Sequence, residues 1–213
     1  MTEGLADEQR DDPKAPAEET GPVHVETDPL RAMDFANPAV LLAGTVDYAM
    51  YTGFRNQIAA APARGLVVIE LSTLGGDPEV ARMMGEDVRF HSETQPNRRF
   101  VFLGKAAIYS AGATFMSFFS LDNRYLTRGT RLMIHERKMK AKLVIDGPLT
   151  TCVAGLKAKL HEIEQSIAIQ NEGFENLIRG SQVTMEDVLR RAPENWYIEA
   201  VEAKRLGLIR DVL

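Results

Sequence analysis

A chain of 213 residues with 45% hydrophobic and 26% charged side chains is long enough to bury a substantial core and has the composition of an ordinary soluble domain. Its net charge of −5 comes from residues 1–36, which hold ten acidic and three basic side chains; residues 37–213 are near balance and offer nucleic acid no strong field. Cys152 is the only cysteine, which excludes an internal disulfide and agrees with a reducing cytoplasm.

Residues 1–36 contain Pro13, Pro16, Pro22 and Pro29 with almost no apolar periodicity, so they read as a disordered, solvating tail. No basic stretch followed by an apolar one opens the chain, and no secretory signal is expected. The folded domain is expected over residues 37–213. Residues 66–71 read as a buried strand leading to Leu74-Gly75-Gly76, with Asp77 as a helix N-cap and Pro78 as the first helical residue. Val80, Met83 and Met84 then fall on one helix face. Two glycines before a helix let the backbone approach a ligand and aim N–H groups at a developing negative oxygen.

The third strand, from about residue 99, runs through small residues into a helical pattern at 114–119. Ser110 therefore sits at a strand-to-helix junction, exposed and able to approach a carbonyl. Residues 130–134 form a short strand that ends on His135, the side chain suited to take a proton from a serine near neutral pH. Singly, a Gly-Gly turn, a serine or a histidine is a weak signal. The information lies in the order: strand, Gly-Gly, helix, strand, Ser, helix, strand, His.

A Lys/Arg-rich stretch, 136–146, comes after the histidine. From about residue 150 to 179, Val153, Leu156, Leu160, Ile163, Ile167 and Leu177 recur largely at helical steps, predicting a helix of about 45 Å, longer than a small domain can cover. The longest apolar-leaning run, 106–121, is too short for the roughly 20 residues of a membrane span. His24, His91 and His161 read as surface residues, and the methionines and phenylalanines of 83–84 and 116–119 as core. No Cys/His set has metal-ligand spacing and no phosphate-cradling glycine loop occurs, so no cofactor is expected and any ATP-driven step would belong to a partner.

The ordered motifs resemble the Clp protease proteolytic subunit, a serine peptidase family that shares its α/β spiral of ββα units with the crotonases. The likeness covers roughly residues 37–213 and rests on Leu74-Gly75-Gly76, on Tyr109-Ser110-Ala111-Gly112-Ala113 and on Arg131-Leu132-Met133-Ile134-His135, with 25 residues from Ser110 to His135. Glu199-Ala200 through Gly207-Leu208-Ile209 is similar to the family's C-terminal motif. The resemblance implies Ser110 as nucleophile, His135 as general base and acid, and the N–H groups of Gly76 and Ala111 as an oxyanion hole. Counting back from Gly207, the position the family usually gives to an aspartate is Asn195, which would orient His135 without charge; papain-like enzymes use asparagine in this role. Glu194 would substitute only with a shifted loop. A weakened or conditional triad is expected, and the sequence departs again at Leu74 and in the basic 136–146 stretch, where the family has a proline and a glycine-rich strand that pairs with substrate.

By the same resemblance the chain would cut peptides or unfolded polypeptides inside a chamber of stacked rings. The long helix would be a handle between rings, an AAA+ unfoldase a possible partner, and the location cytoplasmic, with no nucleic acid or membrane involved. Two other classes stay open: a catalytically weak structural subunit beside an active paralogue, and a crotonase-type acyl-CoA enzyme, which would have no use for a Ser–His pair at this spacing.

Overall fold

A computed structural model describes residues 30–213. Strands and helices alternate through most of it: β1 (Val40–Ala43), α1 (Tyr48–Ala60), β2 (Gly65–Thr73), α2 (Pro78–Thr94), β3 (Arg98–Tyr109), α3 (Ala111–Met116), β4 (Arg124–Leu126), β5 (Arg131–Ile134), α4 (Leu149–Ile178), α5 (Met185–Arg191), β6 (Trp196–Glu199), α6 (Ala200–Arg205) and β7 (Asp211–Val212). The main sheet is parallel in the order β1-β2-β3-β4-β7, as short strand–helix–strand units require. Its strands alternate strictly. Val67, Ile69, Leu71, Phe100 and Phe102 enter the core on the helix side, while Val68, Val101 and Leu103 face a smaller cluster on the other side. Phe35 closes that second cluster, its ring 4.8 Å from the Tyr125 ring. The packed body thus includes the end of the expected tail, residues 30–36; residues 1–29 lie outside the described residues.

The decisive local event is a fork in β3. Its first half pairs β4 through Phe102–Gly104, and its second half pairs β5 through Ala107–Tyr109. Between them Ala106 takes a positive φ of 59°, and the register against β2 slips between Leu71 and Thr73. Such a bulge bends a strand and re-aims the residues beyond it. The Gly104 carbonyl at the bend accepts the Thr127 N–H (2.9 Å) and the hydroxyl of buried Thr130 (3.0 Å). Beyond the fork, β5 is flanked by β3 and by antiparallel β6.

Two expectations are refined here. The long helix is present as α4, thirty residues and about 45 Å, yet only Phe174 and Leu177 near its end are buried. Leu149, Val153, Leu156, Leu160, Ile163 and Ile167 are 40–84% exposed. The basic stretch does not continue as a strand: residues 136–148 carry no regular structure, because β3 ends at Tyr109 and β6 starts at Trp196, leaving no neighbour past His135. Among the described residues, no helix is long and apolar enough to cross a membrane.

Candidate active site

Ser110 is held where β3 meets α3. Its backbone is strained, with φ 54° and ψ −111°, a conformation that costs of order 1–3 kcal/mol for a residue with a Cβ and persists only where the surroundings enforce it. The enforcement is visible. The Ser110 N–H donates to the Met133 carbonyl of β5 (2.9 Å), and its own carbonyl accepts the Thr114 N–H (3.1 Å). Behind it, Phe115 packs edge-on against Phe54, Phe102 and Phe119, and Phe119 tilts against Phe102, with centroids 5.3–6.1 Å apart; the ring of Phe118 lies where a side chain on Gly85 of α2 would go.

His135 comes directly after the strand that holds Ser110, and its Nε2 lies 2.7 Å from the Ser110 Oγ. That is hydrogen-bond distance between a hydroxyl and an imidazole, with no third group between. Burial pushes the half-buried imidazole below its ordinary pKa, and the nearby Lys138 ammonium adds to this; the Glu136 backbone works weakly the other way. The ring is therefore biased toward its neutral form, the form that accepts a proton.

The glycine turn closes over the serine. At Gly75 (φ +117°) an added Cβ would stand 3.0 Å from the Ser110 Cβ, and at Gly76 (φ +151°) it would meet the Val46 carbonyl at 2.2 Å, so neither position admits a side chain. Val46 N–H to Gly75 C=O (3.0 Å) and Asp77 N–H to Val46 C=O (2.8 Å) bond the residues on either side of Gly76. That parallel pattern turns the N–H of Gly76 away from Val46, and Gly76 lines the cavity that contains Ser110. Ala111, buried at the first position of α3, carries a first-turn N–H beside the serine. Buried Thr73, which the motifs in the sequence do not include, shapes the turn. Its hydroxyl accepts the Gly75 N–H (3.0 Å) and donates to the Gly75 carbonyl (3.1 Å). A threonine two residues before a glycine was the available signal.

Asn195 is not joined to His135. It is exposed at a left-handed φ of 60°, its N–H donates to Ala192 (3.1 Å), and it lies one step beyond the last β5–β6 pair, Ile134 with Trp196. The backbone register thus brings positions 135 and 195 side by side, while the His135 Nδ1 is buried without a hydrogen-bond partner. Glu194 is likewise exposed and makes no bond to His135.

A cavity of about 510 Å³ opens from Ser110 and His135 between α2, α3, α4 and residues 136–140. Its floor is apolar, with Phe118, Ile163 and Ile167. One wall is ionic: Glu79 bonds Arg137 (2.7 Å) and Arg82 (3.0 Å), and Arg82 approaches Glu172 (3.8 Å). Partial burial would raise the Glu79 carboxyl, but the two guanidiniums outweigh it and hold it below the usual carboxylate range. The Arg137 N–H also donates to Gln170 on α4 (2.6 Å), which ties the post-histidine segment over the cavity. Among the described residues no group of three or more His, Cys, Asp or Glu side chains converges, so no residues are assigned to a metal.

No protein-family model and no curated protein matches the sequence. Among solved structures, an asparagine-to-aspartate mutant of ClpP1 from Listeria monocytogenes matches with a TM-score of 0.63 at 15% identity, over 82% of this chain and 90% of that one. The likeness establishes a fold of the Clp-protease and crotonase type, mixed α/β with the long helix toward the C-terminal side.

Proposed function

We propose that the chain is a serine peptidase subunit in which Ser110 attacks a peptide carbonyl. The reading is carried by the 2.7 Å contact between His135 Nε2 and Ser110 Oγ on a strained strand-to-helix junction. In it, His135 takes the hydroxyl proton as the Oγ–C bond forms, and the carbonyl oxygen becomes an anion between the N–H groups of Gly76 and Ala111. Collapse of that intermediate breaks the C–N bond, His135 gives its proton to the leaving amine, and an acyl-serine remains. Water, deprotonated by His135, then attacks the ester and restores the serine.

Asn195 would orient His135, with its register beside the histidine as support, and the orphaned Nδ1 marks the place its carbonyl would fill. Substrates would be short peptides or unfolded polypeptides. The apolar stripe left bare on α4 supports assembly of several copies, and enclosure in such an assembly would supply the selectivity the small site lacks. An AAA+ unfoldase partner and a stacked-ring arrangement rest on the resemblance to Clp proteolytic subunits alone.

The unpartnered Nδ1 favours a second reading, a structural subunit that assembles with an active paralogue. A fluorophosphonate probe separates the two. The peptidase reading expects labelling at Ser110, mapped by mass spectrometry, and its loss in Ser110→Ala and His135→Ala. Labelling at another serine refutes the assignment, and an assembled particle that takes no label favours the structural subunit.

A further inference from the structure

The cavity wall formed by the segment after His135 carries positive charge that the chain itself does not neutralise. Arg82 and Arg137 are engaged by Glu79 and Glu172. Lys138 and Lys140, which line the same cavity, are exposed and form no ion pair among the described residues; Lys142 comes next in the same condition. Of the two unpaired acids on this stretch, Glu136 and Asp146, only Glu136 lines the cavity. The Lys138 ammonium lies close enough to the Ser110–His135 pair to push the His135 pKa down. Low-dielectric walls concentrate the field of such charges inside a cleft more than on open surface.

Resting on the peptidase reading of Ser110, we propose that the segment after His135 is a specificity device: Lys138 and Lys140 seat aspartate or glutamate side chains of the substrate on the flank of the bond being cut. The apolar ring of Phe118 on the cavity floor takes an uncharged side chain, and the lysine rim takes the acidic neighbour. A carboxylate placed there supplies the counter-charge that Glu79 gives to Arg137. Peptide is favoured over nucleic acid because so few cations would hold a phosphate backbone weakly, whereas a single carboxylate needs only one or two.

The test reads binding apart from turnover. The full-length Ser110→Ala protein is titrated with acetylated, amidated fluorescent peptides that differ only in glutamate or lysine beside one leucine, and anisotropy gives each Kd. The glutamate peptide is expected to bind about tenfold tighter, equivalent to ~1.4 kcal/mol. The gap should narrow from low salt to about 1 M, where charges are felt over only ~3 Å. Lys138→Gln with Lys140→Gln should erase the preference, and Lys138→Glu with Lys140→Glu should invert it. Equal binding of both peptides, no binding of the glutamate peptide, or a preference that survives charge reversal overturns the proposal. If the preference holds while a fluorophosphonate probe leaves Ser110 of the assembled wild-type protein unlabelled, the cationic rim stands and the peptidase reading fails.

Discussion

At the scale of single residues, the site is a pair whose relative position is set by one strand. Met133 fixes the backbone of Ser110, and two residues later the same chain presents His135, so the 2.7 Å contact does not depend on a mobile loop. Because burial and Lys138 lower the His135 pKa, the base form persists to lower pH than for an ordinary histidine. Peptide hydrolysis should therefore rise with pH along a limb whose midpoint falls below ~6.5, the unperturbed value. Lys138→Gln should move that limb upward but leave it below the ordinary value, since burial is the larger cause; pH profiles of kcat/KM for both proteins decide this. At Asn195 the left-handed backbone suits aspartate as well as asparagine, so Asn195→Asp changes charge with little strain. A carboxylate that reaches Nδ1 would stabilise the imidazolium formed during acyl transfer. We expect kcat/KM on a fluorogenic peptide to rise about tenfold, which needs only ~1.4 kcal/mol of barrier. An unchanged rate with particle size intact would show that Asn195 is not the orienting group.

At the scale of elements, α4 is the piece whose surroundings are incomplete. Leu149, Val153, Leu156, Leu160, Ile163 and Ile167 recur at alternating steps of four and three, a continuous stripe that the chain leaves exposed over the first two-thirds of the helix. If another copy covers the stripe, aspartates at Leu156 and Leu160 bury charge in that contact, and sedimentation should show a smaller species with its helical circular dichroism retained. A wild-type monomer at micromolar concentration would remove the premise. The short 3₁₀ turn Ala32–Phe35 is opposite in character, because its Phe35 is buried by the chain itself. Phe35→Ala should cost about 3 kcal/mol, the lower end for loss of a core phenylalanine, because the pocket against Tyr125 and Val101 belongs to the smaller of the two clusters; denaturant unfolding measures it.

Across the whole molecule, Arg124 joins parts that sequence separates. It is buried, and its donors reach five carbonyls: Phe119 (2.8 Å), Ser117 (3.1 Å), Asn176 (3.1 Å), Leu177 (2.7 Å) and Leu208 (3.4 Å). The end of the helix that presents Ser110, the end of α4 and the C-terminal segment are thereby fixed to one guanidinium. Burial, with a smaller push from Arg179, lowers its pKa to about 10, so it stays charged at neutral pH. Arg124→Ala would strand these acceptors, each unsatisfied carbonyl costing ~1–3 kcal/mol. The expected loss is at least about 3 kcal/mol in chemical denaturation, accompanied by weakened probe labelling at Ser110.

Residues whose role is local were legible in the chain itself. The apolar run 66–71 marked a buried strand. Asp77 and Pro78 announced the start of α2, where the Asp77 carboxylate accepts the Glu79 N–H (2.8 Å). The recurring aliphatics predicted α4, and the motif order drew attention to Ser110 and His135. These come from side-chain periodicity and capping, which act over a few residues. The features that only the folded molecule decided depend on segments far apart. The fork in β3 exists because β4 pairs its first half and β5 its second, and a short-range pattern carries no sign of that division. Thr73 matters because its turn lies against Ser110, and Arg124 because carbonyls up to 84 positions away surround it. The path of residues 136–148 and the empty bonding position at the His135 Nδ1 belong to the same class: both are set by which strands remain available past Ile134, a property of the assembled sheet rather than of the residues themselves.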